Sequence, residues 1–292
     1  MKHAIGRTPQ LGFTLIELLT ATGIFLLICG AAFTLLTSSQ QRYQTESQVL
    51  NSFQEARLGL DQIVRDVNDS GFPPPTFNDQ IAADAINFAI SPFAWSAGAG
   101  YPPPGTCQIG TAGGGTCSTA AGGSSPGDFD LIIETNPNPL DPNCAPNCHV
   151  EWIRYQLQGT TLMRGMIQKT AGADPDAATT ATTPAVVLAP FVQNVVNNTC
   201  PPQIPTCQTA YPGLFGGNPV PIFTYVCDNP PVPQFPPPPT ILCMSAGANN
   251  SPANIREVNV TLIVAAPLPD AATGRPRLVQ LSGRGRRINP NQ

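Results

Sequence analysis

Apolar residues run almost without interruption through the first part of the chain, from residue 13 to residue 37. Between Leu18 and Leu36 there is no charged residue. At the helical rise of 1.5 Å per residue, the segment from Phe13 to Thr37 would be about 37 Å long, which is enough to cross a bilayer. The pattern therefore predicts a membrane-spanning helix over residues 13–37.

The next segment, residues 38–69, is polar but carries one apolar stripe. Its apolar residues recur at steps of three and four, as on one face of a helix. They are Val49, Leu50, Phe53, Ala56, Leu60, Ile63, Val64 and Val67. Gly71 and the prolines from residue 73 would end the helix. We expect one helix over residues 13–69, roughly 85 Å long, whose outer part packs on a soluble domain.

Residues 70–292 alternate between loop-forming and strand-like segments. Prolines and glycines mark 70–127 as mainly loops, and the proline-rich stretch 228–240 as a stiff excursion. Strand-like segments occur at 128–134, 149–157, 160–168, 185–196, 221–226, 255–266 and 277–288. The tight link at 158–160 is typical of a hairpin, and the alternation in 255–266 predicts an antiparallel sheet with one covered face. We expect the apolar stripe of the helix to cover this face of the sheet.

Composition limits the class of protein and of partner. Charged residues are only 11% of the chain, and Gly and Pro together are 60 of 292 residues, which favours a folded but loop-rich domain. The net charge is −4, with two lysines against twelve arginines, so no general basic field exists to hold nucleic acid.

The nine cysteines indicate the redox compartment of the chain and how its loops are held. One, Cys29, lies in the apolar segment, and the other eight form near-neighbour couples: Cys107 with Cys117, Cys144 with Cys148, Cys200 with Cys207, and Cys227 with Cys243. An even number suits a disulfide framework in an oxidising compartment, although eight cysteines permit 105 pairings. A metal site at Cys144, Cys148 and His149 is the alternative, disfavoured because no second ligand pair follows.

The whole pattern predicts an α+β fold, with a long N-terminal helix packed on an antiparallel sheet and loops closed by disulfides.

Glu17 is an anion near the start of the apolar segment. A carboxylate at membrane depth costs roughly 2.5–3.5 kcal/mol unless it is paired, so it is a candidate functional residue. Snorkelling to the lipid headgroups is the simpler alternative. The first eleven residues carry Lys2 and Arg7 and no acid, which puts the N-terminus in the cytoplasm and the later residues outside.

The sequence GFTLIELL, residues 12–19, closely resembles the N-terminal signature of type IV prepilins. That signature is a short basic leader ending in glycine, then phenylalanine, then an apolar helix with glutamate at its fifth position. The resemblance implies that a prepilin peptidase cuts after Gly12 and that Phe13 becomes the N-methylated end. Glu17 would then be the assembly residue, facing the new α-amino group of a neighbouring subunit, since that contact is poorly placed within one helix.

The order of the later segments is similar to that of PilW-like minor pilins and of the J-type pseudopilins of type II secretion. The departures are the residues after Arg65, where this subgroup commonly has Ala-Gly, and the added cysteine couples and proline runs. The implied domains are a leader (1–12), a membrane and filament-core helix (13–37), an amphipathic helix (38–69) and a periplasmic head (70–292). The implied partners are other minor and major pilins, the peptidase and the inner-membrane assembly platform with its ATPase. A surface or DNA contact by the head is a weaker expectation.

The sequence leaves several alternatives open. A conventional cleaved secretory signal has a shorter apolar core, and a lipoprotein anchor at Cys29 would follow a small residue rather than Ile28. A single-pass periplasmic adhesin or binding protein that does not polymerise is the main rival in function. The chain carries no phosphate-loop, HExxH or GxSxG motif and only two histidines, so we expect no enzyme, catalytic residue or cofactor.

Three smaller features have two interpretations each. Asp128 and Asp130 would share a cation or, as we prefer, be solvated carboxylates at a strand start. The last eighteen residues carry five arginines, Arg275, Arg277, Arg284, Arg286 and Arg287. They would contact DNA or an acidic partner or, as we prefer, be solvated and pair with acids such as Asp66 and Asp69 on the helix end. Trp95 and Trp152 would be exposed tip aromatics or, more commonly, core residues.

Overall fold

The computed structural model describes most of the chain in ten segments. They are residue 12 and residues 14–74, 86–89, 91–95, 125–137, 149–180, 187–228, 240–243, 252–270 and 273–287. The longest element is one continuous helix of 54 residues, α1, Leu15–Asn68. Thr14 caps its start and Asp69 its end. The single helix predicted across the apolar and amphipathic segments is therefore confirmed.

Nine strands and three further short helices follow α1 in the described segments. The strands are β1 Phe93–Ala94, β2 Asp130–Thr135, β3 Glu151–Gln158, β4 Thr161–Gln168, β5 Leu188–Val192, β6 Phe223–Asp228, β7 Thr240–Leu242, β8 Ile255–Pro269 and β9 Pro276–Arg286. The helices are α2 Pro175–Thr180, α3 Cys207–Ala210 and α4 Pro212–Phe215, and a 3₁₀ turn spans Pro252–Asn254. All seven predicted strand segments contain a strand, and the hairpin at 158–160 joins β3 to β4.

The strands divide between two antiparallel sheets. One has the order β1-β2-β3-β4-β5 and the other the order β7-β6-β8-β9. An antiparallel bridge between Val195 and Val264 connects them, because the chain passes alongside β8 just after the end of β5 at Val192. The predicted α+β fold with antiparallel pairing is confirmed, while 185–196 contributes a strand of only five residues.

The apolar stripe of α1 packs against the sheets as expected, with one exception. Val49, Ala56, Leu60, Ile63 and Val67 are buried, and Phe53 and Val64 are half-buried. Leu50 is 60% exposed, so its assignment to the stripe was wrong. It follows Val49 directly, and one residue turns a helix by about 100°, which carries its side chain off the buried face.

The main core combines this stripe with residues from both sheets, including Leu131, Trp152, Phe223 and Val260. Trp95 is 4% exposed and Trp152 is fully buried, which confirms the expectation that both tryptophans are core residues. A second, smaller cluster lies elsewhere and joins β8 to the segment around α3 and α4. The proline-rich stretch expected at 228–240 falls outside the described residues apart from its two ends.

Candidate assembly interface

The first half of α1 is apolar and lies outside the head. Its large side chains are each 55–81% exposed: Leu15, Ile16, Leu18, Leu19, Ile24, Phe25, Leu26, Leu27, Ile28, Phe33, Leu35 and Leu36. Within the described residues, α1 is the one helix long and apolar enough to cross a membrane, and none of its apolar window is buried in the chain. So large an apolar surface needs lipid or other protein chains around it.

Glu17 lies in the first turn of α1 and closes a capping box with Thr14. Its Oε2 atom accepts hydrogen bonds of 2.9 Å from both the backbone N–H and the hydroxyl of Thr14. In return, the Thr14 hydroxyl oxygen accepts a 3.4 Å hydrogen bond from the Glu17 N–H. The carboxylate is thus held at the helix N-terminus, where the helix dipole favours an anion.

Thr14 is a site residue that the sequence reasoning missed. The signal was present, because Thr14 and Glu17 have the spacing of a capping box, S/T-x-x-E, ahead of an apolar run. Glu17 therefore has a role within its own chain besides the predicted contact with a neighbour. The contact itself involves a second chain and stays a prediction.

Gly12 precedes the predicted cleavage site and is exposed. A Cβ atom added to Gly12 would meet no atom of the described residues within 4 Å. The described part of the fold therefore gives no steric reason for glycine at this position. Phe13, the predicted mature N-terminus, lies outside the described residues.

Two glycines of β9 let α1 lie close to the second sheet. A Cβ atom on Gly285 would come within 2.5 Å of the Val67 Cγ1 atom, and one on Gly283 within 2.9 Å of the Leu60 Cδ1 atom. Side chains at these positions would push the helix away from the sheet. The glycines thus set how the head packs on the outer half of α1.

A buried polar joint fixes the same half of α1 to the first sheet. The Tyr155 hydroxyl and the Arg164 guanidinium donate to the Oδ2 atom of Asp66 at 2.6 and 2.9 Å, and Gln62 donates to its Oδ1 atom at 2.7 Å. Burial, together with the charge of Asp66, raises the pKa of Tyr155 above its usual value, so the phenol stays a donor. Three elements, α1, β3 and β4, meet at this joint.

Two of the four predicted cysteine couples are disulfides in the described residues. Cys200 is bonded to Cys207 and Cys227 to Cys243, across sequence separations of 7 and 16 residues. Cys29 is free, as expected for a cysteine in the apolar segment. The remaining four candidates lie outside the described residues, and their pairing stays a prediction. They are Cys107 and Cys117 in one couple, and Cys144 and Cys148 in the other.

The preference for a solvated Asp130 was wrong. Asp130 is 5% exposed, and Arg154 binds it through two hydrogen bonds, of 3.0 Å to Oδ1 and 2.5 Å to Oδ2. Asp130 and Arg154 lie on the neighbouring strands β2 and β3, so their side chains meet. The positive guanidinium group balances the charge of the buried carboxylate. Asp128 is half-buried, and burial raises its pKa.

The pairing predicted for the last arginines also needs correction. Arg277 pairs with Asp270 at 2.8 Å, Arg284 with Glu257 at 2.8 Å, and Arg287 with Asp228 at 3.0 Å. Arg287 is 6% exposed and therefore not solvated, whereas the other four arginines are exposed, as expected. The partner of Asp66 is Arg164 instead, since Asp66 faces the first sheet and β9 belongs to the second.

No protein-family model matches this sequence, and no curated protein matches it. Among solved structures, the chain is similar to a type IV-like pilin from Thermus thermophilus. That match covers 81% of this chain and 97% of the other, with 9% sequence identity and a TM-score of 0.32. At so low a TM-score the likeness supports no argument, and the function proposed below rests on this chain's own residues.

Proposed function

We propose that this chain is a minor pilin or pseudopilin, a structural subunit that helps to initiate or cap a type IV pilus-like filament. The observation that carries the proposal is the Gly12–Glu17 motif at the start of an exposed apolar helix. The outer half of the same helix carries a folded head. One element therefore joins a surface suited to lipid and to other helices with a domain that displays loops.

In this proposal α1 crosses the inner membrane once and the head lies in the periplasm. Cleavage after Gly12 creates an α-amino group at Phe13, and the Glu17 carboxylate of one subunit pairs with that group on its neighbour. The apolar side chains then pass from lipid to the apolar helices of other subunits, so little apolar surface meets water on the way. The lone anion makes correct axial placement favourable, because only one offset brings the opposite charges together.

The capping box refines this mechanism. Thr14 satisfies the carboxylate while a subunit is alone in the membrane, through hydrogen bonds from its N–H and hydroxyl. Glu17 is thus a partly compensated anion whose remaining acceptor positions suit the amine of a neighbour. A charge-assisted hydrogen bond to that amine is stronger than a neutral one.

The proposed partners are other minor and major pilins, the prepilin peptidase and the inner-membrane assembly platform. We assign the chain no catalytic role. Charged groups inside the head pair with one another, as in the fully buried pair of Lys169 and Glu134, which supports a structural use of charge. Disulfide-closed loops in an oxidising compartment agree with a head exposed to the outside.

Mass spectrometry of the chain isolated from host membranes tests the proposal. We expect an N-terminus at Phe13 that is one methyl group heavier than the unmodified residue. Gly12→Ala should block this processing without altering the head, because its Cβ atom meets nothing in the part of the chain that the structure describes. A wild-type chain with an intact leader would contradict the proposal and favour a single-pass periplasmic adhesin or binding protein.

Purification of the two filament types from the host separates the finer alternatives. A minor pilin would be recovered with sheared pili, and a pseudopilin with the type II secretion complex. Recovery with neither would contradict both assignments.

A further inference from the structure

A groove opens between α1 and the end of the head where β8 ends and β9 begins. The α1 side is lined by Ser38, Gln41, Arg42, Thr45, Glu46 and Val49, and the head contributes Asp270 and Arg277 from the ends of the β8–β9 connection. Its volume is about 390 Å³. These α1 residues recur at steps of three and four, so they form the helix face that turns toward the head.

The position of the groove along α1 places its lower end among lipid headgroups, if α1 crosses the membrane as proposed above. From Glu17 to Thr37 the helix rises about 30 Å, the thickness of a bilayer's hydrocarbon core. The headgroup layer adds roughly 5–8 Å on each side. Arg42 lies about 8 Å beyond Thr37 by the same rise, at the outer edge of that layer.

The charges of the groove are balanced. It holds two guanidinium groups, Arg42 and Arg277, and two carboxylates, Glu46 and Asp270. Arg277 binds Asp270 at 2.8 Å, and its side chain remains 57% exposed. Among the described residues, neither Arg42 nor Glu46 forms an ion pair, although they are spaced to meet on the helix. A balanced groove of this kind complements a zwitterion better than an anion.

We propose that this groove binds the headgroup of a phosphoethanolamine phospholipid. Arg42, nearer the bilayer, would bind the phosphate. Glu46 lies one turn farther out, but helix side chains tilt toward the N-terminus, here the bilayer, so its carboxylate would accept from the ammonium group. The ammonium carries three N–H donors, which a carboxylate accepts, whereas the methylated ammonium of phosphocholine has none. Val49 lines the far end of the groove, roughly 18 Å beyond Thr37, which is too distant for an acyl chain.

Bound lipid would hold the head at one height and orientation above the membrane before the subunit leaves it. The site thus acts on the subunit's position during assembly, which goes beyond the proposed structural role in the filament. Release of the lipid would accompany extraction of α1.

Native mass spectrometry of the full chain tests this proposal. The chain is released from micelles that contain equal amounts of phosphoethanolamine, phosphocholine and phosphoglycerol lipids with identical acyl chains. We expect one phosphoethanolamine lipid to be retained several-fold over either of the others. Equal retention of the three lipids, or preferential retention of the phosphoglycerol lipid, would overturn the proposal.

Two variants and one matched control locate the site. Arg42→Gln should lower retention of both phosphoethanolamine and phosphocholine lipids, whereas Glu46→Gln should remove the preference between them. Arg57→Gln removes the same charge from an exposed position of α1 some 22 Å away and should leave retention unchanged. Carbonate extraction of host membranes reports insertion separately. A chain that inserts without lipid preference refutes only this inference, and a chain that does not insert refutes the proposed function.

Discussion

The hydroxyl group of Tyr155 donates a 2.6 Å hydrogen bond to the carboxylate of Asp66, which lies 89 residues earlier in the chain. This bond connects the first sheet to the helix that carries the proposed assembly surface. Arg164 completes the joint by donating to both Asp66 and the Tyr155 oxygen. The orientation of the head on α1 therefore depends on a polar contact as well as on apolar packing.

Removing the hydroxyl group of Tyr155 should lower the stability of the head. We expect Tyr155→Phe to lower the free energy of unfolding by about 1.5–3 kcal/mol, the usual value for a hydrogen bond to a charged group. Urea unfolding of the full chain in detergent, followed by tryptophan fluorescence, measures this, since Trp95 and Trp152 are both buried in the head. Tyr43→Phe is the matched control, because Tyr43 is 75% exposed. A change within about 0.5 kcal/mol for both variants would contradict the role of the joint.

Alkaline pH should destabilise the head through its buried tyrosines. The pKa of both Tyr155 and Tyr225 is raised above the ordinary value of 10.0, and burial is the largest cause in each case. Below that pH both groups are protonated in the folded and unfolded chains, so their contribution to stability is complete. Above it only the unfolded chain releases the protons, and the free energy of unfolding should fall by about 1.4 kcal/mol per pH unit for each tyrosine.

Unfolding curves between about pH 8 and pH 11 check this expectation. Tyr155→Phe and Tyr225→Phe should each make the decline shallower, and the double variant should make it shallowest. An identical decline in wild type and double variant would show that other groups cause it.

Close packing of α1 on β9 should not tolerate a side chain at Gly285. We expect Gly285→Ala to cost about 1–3 kcal/mol, because its Cβ atom would overlap Val67. Gly213→Ala serves as the control, since a Cβ atom there meets no atom of the described segments within 4 Å. Thermal unfolding compares the two, and adding Val67→Ala to Gly285→Ala should cost less than the sum of the single changes. Full additivity would contradict the proposed overlap.

The longer disulfide should stabilise the head more than the shorter one. In the loop-entropy model, replacing Cys227 and Cys243 by serine costs about 3 kcal/mol, and replacing Cys200 and Cys207 about 2.5 kcal/mol. Cys29→Ser should have no effect on head stability, because Cys29 is free and lies in the first half of α1. Chemical unfolding of the three variants measures the order, and a larger loss for Cys29→Ser would contradict it.

The local elements were predictable because periodicity and spacing report on neighbours in sequence. The steps of three and four from Val49 to Val67 indicated the buried face of α1, and the short loop at 158–160 indicated the β3–β4 hairpin. The assignment of Leu50 to this face was wrong, because apolar character alone does not place a residue on the buried face. The disulfide Cys200–Cys207 followed from short loop closure.

Long-range pairs were not predictable from one sequence. Arg164 lies 98 residues after its partner Asp66, and Arg287 lies 59 residues after Asp228. Alternation in a strand says which residues share a face, but not which strand lies beside it, so the division into two sheets was also missed. Asp66 offered one unused signal, since a carboxylate three residues after Ile63 falls on the buried face and needs a partner.

At the proposed interface, the motif was readable from the sequence and the structure added the capping box. That box separates two roles of Glu17, a hydrogen bond within the helix and a charge offered to a neighbour. Glutamine at this position keeps the first role, since a capping box accepts Glu or Gln, and loses the second. Alanine loses both.

The central claim is therefore tested most directly by comparing how much Glu17→Gln and how much wild-type chain is recovered in filaments from the host. The amount in sheared filaments is measured relative to the amount in membranes, with Glu17→Ala and Thr14→Ala alongside. We predict that Glu17→Gln and Glu17→Ala are both lost from filaments, while Thr14→Ala, which keeps the charge, is retained. Filaments that contain Glu17→Gln at the wild-type level would contradict the account.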